Sequence, residues 1–176
     1  LGSYINYMLT SFEKDMLMKR FPNIELSYNK NIYRKVYAEY YSIIPKGPKS
    51  IMWFTYINDK NICVVLILDR NDNIKSITRY LMCFDSKLSY GTVIYGTFIK
   101  TDKTPIFCFD KMHFYKGIDV QRCNPIKQLK MFQNIFLNEI SQKTYEGNFI
   151  IPVLPIMDNS YNNICKIMNN ITYNVY

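Results

Sequence analysis

The segment Ser89-Tyr-Gly-Thr-Val-Ile-Tyr-Gly-Thr-Phe98, with Phe107-Cys-Phe-Asp-Lys-Met-His-Phe-Tyr-Lys-Gly-Ile-Asp-Val120 after it, decides the fold. Residues 92–100 and 105–115 are rich in β-branched and aromatic side chains, which is typical of strands. The polar segment Thr101–Thr104 separates them. These features predict an antiparallel hairpin. Alternation along its second strand also predicts that Phe107 and Phe109 share one face.

More strands are predicted upstream of this hairpin. A helical stripe of apolar residues over 4–20 ends at Phe21-Pro22. Turn residues separate the segments that follow it, which have strand composition. The predicted strands cover residues 36–44, 51–56, 62–69 and 74–84, with turns at 45–48, 58–61 and 70–73.

The periodicity becomes helical downstream of the hairpin. Asn124-Pro125 is a typical helix start, and the apolar spacing continues to Glu146-Gly147. A short strand is predicted over 149–154, and Asp158, Asn159 or Ser160 is expected to cap a last helix. This order predicts an α+β fold, in which helices flank antiparallel sheets, and the 176 residues suit one domain.

The composition is that of a globular, basic protein. Hydrophobic residues make up 48% of the chain and charged residues 20%, and the net charge is +8. A positive charge of this size favours polyanionic partners such as RNA, although a solvated basic face would also carry it. The chain has 16 tyrosines and 11 phenylalanines and many Asn, Ile and Lys, a bias that an AT-rich genome produces.

The sequence predicts no metal site and no cofactor site. Its five cysteines are odd in number and lack Cys-x-x-Cys spacing, which supports neither a disulfide framework nor a zinc site. A reducing intracellular compartment is therefore expected. No apolar run approaches the roughly 18 residues of a membrane span, so no membrane partner is predicted.

Three elements of the quoted segment carry a resemblance to a known family. They are Tyr95-Gly96-Thr97, Phe109-Asp110 and Tyr115-Lys116-Gly117. Together they resemble the central strands of the covalent nucleotidyltransferases, the mRNA capping guanylyltransferases and polynucleotide ligases. That family has Asp-Gly-Glu where this chain has Tyr95-Gly96-Thr97, and its glutamate acts on the ribose and metal. The resemblance therefore implies the family's fold without this carboxylate.

The nucleophile of the family is also replaced. Its lysine lies in a Lys-x-Asp-Gly turn between two strands, for which the best counterpart is Asn58-Asp59-Lys60-Asn61. Asn58 cannot attack a phosphate, since covalent catalysis needs an unprotonated, aimed amine. Lys60 would replace it only after a local slip in register. We therefore predict no catalytic residue.

The candidate binding residues each have a structural alternative. Phe107 and Phe109 lie in the strand where the family stacks a ring on the base, and Trp53 precedes the degenerate turn; each ring could instead belong to the core. The resemblance also implies a vestigial nucleotide cleft. Lys46, Lys49 and Lys60 could form a basic rim around this cleft and contact phosphates there. Lys30, Arg34 and Lys35 extend this set. His113, Asp110 and Asp119 are expected to be structural.

These observations lead to one principal hypothesis and two alternatives. The chain is expected to be a catalytically inactive guanylyltransferase-like module that binds RNA 5′ ends or scaffolds capping and transcription proteins. Composition and resemblance favour a large DNA virus, and thus the host cytoplasm or the virion. The alternatives are an active guanylyltransferase that uses a non-standard lysine, and a purely structural protein-interaction domain. Because the family would continue into a phosphate-gripping lysine strand after Tyr176, the chain is expected to be a fragment or truncated.

Overall fold

The structure is a computed structural model, and it describes residues 8–24, 26, 40–141, 143, 147–171 and 173–175. These residues form an α+β fold, which confirms the predicted class. The α-helices are α1 (Ser11–Arg20), α2 (Pro125–Asn134) and α3 (Tyr161–Met168). A 3₁₀ turn covers Ser86–Tyr90, and a π-helical segment covers Ile135–Glu139.

Five strands have seven residues or more, and the others have two or three. The strands are β1 (Tyr41–Ile43), β2 (Lys49–Ile57), β3 (Lys60–Leu68), β4 (Ile74–Tyr80), β5 (Cys83–Phe84), β6 (Thr92–Ile99), β7 (Ile106–Tyr115), β8 (Ile118–Asp119), β9 (Ile140–Ser141), β10 (Ile151–Val153) and β11 (Ile156–Asp158). The long strands belong to one sheet, and two small sheets pair β1 with β11 and β5 with β9.

Within the described ranges, the central sheet has seven strands in the order β10-β7-β6-β2-β3-β4, with β8 paired to β7. The predicted hairpin is confirmed, since β6 and β7 pair antiparallel. β2 and β3 form a second hairpin, closed by Asn58 and Asp59 with φ angles of 47° and 58°. Positive φ at both positions is the geometry of a type I′ turn. β10 is the exception to the predicted antiparallel arrangement, because it pairs parallel to β7.

Apolar side chains cover both faces of the sheet. On one face Trp53, Val64 and Val93 pack with Leu17 of α1. On the other face Phe54, Phe107 and Phe109 pack with Phe132 of α2. This two-sided burial explains why β2 and β3 read as nearly continuous apolar runs rather than alternating ones.

Three predicted elements have different bounds in the structure. The strand expected over 74–84 is broken at Leu81 and Met82, because β5 leaves the central sheet to pair with β9. The helix expected to reach 146 ends at Asn134 and becomes π-helical, since Ile140 is already paired with Phe84. Only the end of the strand expected over 36–44 appears, as β1. Residues 4–7, 36–39 and 144–146 lie outside the described part of the chain.

The predicted helix starts agree with the structure. Asn124 caps α2, where its Oδ1 accepts from Lys127 N at 2.8 Å. Of the three candidates for α3, Ser160 is the cap, and its Oγ accepts from Asn163 N at 3.4 Å. A side-chain oxygen in this position satisfies a helix N–H that has no partner within the helix.

Among the described residues, no helix is long and apolar enough to span a membrane.

Candidate functional site

Lys49 and Thr97 lie side by side at one end of the central sheet, which we call the Thr97 end. They are directly opposite each other in the pairing of β2 with β6, and Lys49 Nζ donates to Thr97 Oγ1 at 3.2 Å. Lys49 Nζ also lies 5.9 Å from the centre of the Tyr95 ring. Thr97 is almost fully buried. A hydroxyl bound to an ammonium group therefore stands where the resemblance implies a carboxylate.

Asn58 and Lys60 lie at the opposite end of the sheet, which we call the Asn58 end. β2 runs from Lys49 to Ile57, so eight steps of about 3.3 Å, about 26 Å in all, separate Lys49 from the turn. A different turn lies next to Thr97. It precedes β2 and contains Lys46. Asn58 and Thr97 therefore do not lie in one site.

The candidate basic residues therefore do not form one rim. Lys46 and Lys49 are at the Thr97 end, whereas Lys60 is exposed at the Asn58 end. Lys30, Arg34 and Lys35 lie outside the described residues. One polar turn with a lysine lies before β2 and another lies after it. The sequence alone did not show which of these turns lies beside Thr97 of β6.

Phe107 and Phe109 are core residues. They share a face, as predicted, but both are fully buried and pack edge to face with ring centres 5.9 Å apart. Phe109 also contacts Phe132 and Phe136, at 5.2 and 5.3 Å between ring centres. Rings enclosed in this way have no face left for a base. The ligand-stacking alternative is therefore wrong for these two residues, and their core alternative is right.

A cleft of about 260 Å³ opens at the Asn58 end, between β2, β7 and the end of α1. We call it the Trp53 cleft. Its walls include Arg20, Trp53, Tyr56, Ser89, Tyr90 and Phe114, and its floor includes Gly91 and Gly117. Of the sequence-predicted site residues, Trp53 lines this cleft, and the Asn58 turn begins two residues beyond Tyr56.

The two glycines bring the ends of the β6–β7 hairpin together beneath the cleft. Gly91 has φ 110° and Gly117 has φ 82°, conformations that side chains other than glycine rarely adopt. Gly117 N donates to Gly91 O at 3.2 Å, and Lys116 N donates to Thr92 Oγ1 at 3.0 Å. The Ser-Tyr-Gly-Thr and Tyr-Lys-Gly elements of the sequence thus meet at this point.

Two buried polar atoms of the cleft have no hydrogen-bond partner among the residues that the structure describes. They are Trp53 Nε1 and Ser89 Oγ, and each residue is only 3% exposed. Trp53 is held in place edge to face against Phe21, with 5.2 Å between ring centres. Most buried polar groups in proteins are paired, so two such atoms lining one cleft require an explanation.

Arg20 is the only charged residue among the described residues that line the Trp53 cleft. It ends α1, and its guanidinium carbon lies 4.5 Å from the centre of the Tyr56 ring. One of its amino groups donates to the Tyr56 carbonyl. These contacts fix the guanidinium group at the wall of the cleft. The local charge of the cleft is therefore positive.

A second cavity, of about 420 Å³, lies on the other face of the sheet between β7, β11 and α2. Two of its polar side chains are already paired. Gln128 Oε1 accepts from Met112 N at 2.9 Å and Gln128 Nε2 donates to Val120 O at 3.2 Å. Gln121 bonds His113 Nδ1 at 2.9 Å.

His113, Asp110 and Asp119 were expected to be structural. His113 is buried, and burial lowers its pKa below the ordinary value, although the hydrogen bond to Gln121 opposes this shift. Asp119 Oδ1 accepts from Gln121 N at 2.9 Å and so orders the segment that carries the partner of His113. Asp110 is exposed and borders the second cavity.

A buried carboxylate joins the π-helical segment to the end of β7. Glu139 Oε1 accepts from Lys116 Nζ, from Tyr115 Oη at 2.8 Å and from Asn134 Nδ2 at 3.0 Å. Its other oxygen, Oε2, is buried and has no partner within the described ranges. Sequence reasoning missed this cluster, because Glu139 lies 23 residues after Lys116 and only the π-helical geometry turns it inward.

The described residues contain no group of three or more His, Cys, Asp or Glu side chains that could hold a metal ion. All five cysteines are free thiols, and burial raises the pKa of Cys108 to about 11. Neither a protein-family model nor a curated protein sequence matches this chain.

Proposed function

We propose that this chain is a guanylyltransferase-like domain that has lost covalent catalysis and binds RNA within a capping or transcription apparatus. The observation that carries the proposal is the hydrogen bond from Lys49 Nζ to Thr97 Oγ1. The family's chemistry needs a carboxylate at this place in the sheet, and a threonine hydroxyl cannot supply its negative charge. Loss of catalysis leaves the basic frame free to serve in binding.

The competing proposal is an active guanylyltransferase that uses a non-standard lysine. Its supporting observation is the position of Lys49 beside Thr97, which makes Lys49 a better candidate than Lys60 at the distant Asn58 end. In that reaction the lysine nitrogen would bond the α-phosphorus of GTP, lose a proton and release pyrophosphate. A lysine tied to a hydroxyl, with no carboxylate to position metal and ribose, is poorly equipped for this step.

Incubation with GTP labelled at the α-phosphate, in the presence of magnesium, is expected to leave the chain unlabelled. The reason is the missing carboxylate at Thr97. The measurement is radioactivity in the protein band after denaturing electrophoresis, before and after acid treatment that breaks a P–N bond. Acid-labile labelling that Lys49→Ala abolishes and Lys60→Ala preserves would establish the enzyme in place of the binding module.

RNA binding is expected to depend on salt through the exposed lysines. Each phosphate contact to single-stranded RNA contributes about 0.7 to the slope of log affinity against log salt. We expect Lys60→Ala to reduce the slope by about this amount, because Lys60 is exposed. Lys49→Ala should reduce it less, since the Lys49 ammonium already donates to Thr97. Fluorescence anisotropy of a labelled oligonucleotide at several salt concentrations measures these slopes.

The absence of binding at low salt, to capped and uncapped RNA alike, would remove the RNA proposal. The protein-interaction alternative would then be preferred. Its support is the exposure of large apolar side chains, Met8 at 80% and Phe12 at 71%, beside and on α1. Exposed apolar side chains that lie together in one patch mark protein-interaction sites.

A further inference from the structure

We infer that the Trp53 cleft binds an unstacked nucleobase of single-stranded RNA. The identity of the ligand rests on the proposed function, whereas the location of the site rests on the cleft alone. The cleft lies toward the Asn58 end, because the β2 residues that line it are four to seven positions, about 13–23 Å, along the strand from Lys49. It is therefore separate from the nucleotide position that the family resemblance implies.

The unpaired polar atoms define the hydrogen-bonding groups of the ligand. An indole N–H only donates, so the partner of Trp53 must present an acceptor. The hydroxyl of Ser89 can donate or accept. Both atoms belong to residues that line the cleft, and both are shielded from bulk water. A ring with acceptors and a donor on its edge, such as a pyrimidine or purine base, satisfies both atoms.

Aromatic walls favour a flat ligand. Tyr56, Tyr90 and Phe114 line the cleft beside Trp53, and Tyr90 is 71% exposed. Bases stack on such rings with little dependence on sequence, because every base has a π-face. The volume of about 260 Å³ is below the roughly 300–1,000 Å³ of drug-sized pockets, which suits one base rather than a larger ligand.

The charge of the cleft favours a nucleotide over a neutral or cationic ring. Arg20 stands at its wall, and none of the described residues that line it is acidic. A guanidinium group has five N–H donors in a planar fork, and one amino group is used by the Tyr56 carbonyl. The remaining donors of the fork suit a phosphate attached to the bound base.

The position of the sole tryptophan provides the measurement. Trp53 fluorescence, excited at the red edge of its absorption, is followed while uridine 5′-monophosphate, ribose 5-phosphate or hexauridylate is added. We expect saturable quenching by the nucleotide and the oligonucleotide, and none by the sugar phosphate that lacks a base. Ser89→Ala should weaken nucleotide binding about threefold to tenfold, the usual effect of one hydrogen bond.

Ser50→Ala is the matched control, because Ser50 is also a buried serine but bonds Pro48 O at the Thr97 end. It should leave affinity unchanged. Trp53→Phe keeps a ring and removes the N–H; calorimetry should show the same threefold to tenfold loss. Circular dichroism and thermal unfolding establish that each variant is folded.

The two proposals fail in different ways. If hexauridylate binds but Ser89→Ala and folded Trp53→Phe bind it as tightly as the parent chain, the cleft inference is wrong and RNA binding stands. Equal quenching by ribose 5-phosphate, or none by any of the three probes, would also overturn the cleft inference. If the monophosphate binds with the expected variant effects but oligonucleotides do not, the cleft stands and the RNA-binding function fails.

Discussion

Replacement of Phe109 by alanine is expected to lower the free energy of unfolding by about 3–5 kcal/mol, the range for deleting a buried aromatic ring. Phe109 is fully buried and contacts three other rings, those of Phe107, Phe132 and Phe136. The ring joins β7 to α2 and the π-helical segment, so its loss leaves a cavity that the sheet cannot close. Urea unfolding followed by circular dichroism measures the change.

Tyr90→Ala is the matched control for this prediction, because Tyr90 is an aromatic residue that is 71% exposed. It should change stability by less than about 0.5 kcal/mol. If Phe109→Ala cost no more than Tyr90→Ala, Phe109 would not be a core residue and a stacking role would have to be reconsidered.

Lys116→Met is expected to cost about 3 kcal/mol, the lower part of the range for breaking a buried ion pair. The substitution leaves the Glu139 carboxylate buried without its cation, since the Glu139 side chain is only 6% exposed. The lower part of the range applies because the Lys116 side chain is 27% exposed and partly screened by water. Urea unfolding at neutral pH measures the loss.

The same pair gives a pH dependence with a definite sign. Burial disfavours the Lys116 ammonium, but hydrogen bonds to Glu139 and Tyr115 and the Glu139 charge outweigh it, so the pKa of Lys116 lies above its ordinary value. This stabilisation is complete below the unfolded pKa of about 10.4 and is lost as the pH rises through the folded pKa. The stability of Lys116→Met should lack this loss at alkaline pH. The double variant Lys116→Met/Glu139→Gln should recover part of the free energy of unfolding that Lys116→Met loses at neutral pH. A neutral-pH loss equal in both variants would show that the charge pair is not the cause.

The parts of the fold that were predicted correctly depend on local signals. The caps at Asn124 and Ser160 are short side-chain contacts, and the β6–β7 hairpin joins neighbouring segments of strong strand composition. The breaks at Leu81 and at Ile135 were not predicted, because each is imposed by pairing between β5 and β9. Those strands lie more than fifty residues apart, and their pairing leaves no periodicity in either segment.

The candidate site was predicted only in part, for a similar reason. Trp53 was identified as an aromatic residue before a turn, and it lines the cleft. Ser89 belongs to the quoted segment, but nothing local marks its hydroxyl as buried and unpaired. Arg20 ends a helix far upstream and reaches the cleft only because α1 packs on β2. The basic rim was wrong because a long strand separates its lysines.

The order of the central sheet has a consequence for self-association. Among the described strands, the outer ones along its main path are β10 and β4, and an outer strand can recruit another chain by edge-to-edge hydrogen bonding. β10 has three residues with Pro152 in the middle, a residue that has no N–H to donate. β4 carries Lys75 and Arg79, charges that disfavour such contacts. These features disfavour pairing between copies of the domain through either of these two strands.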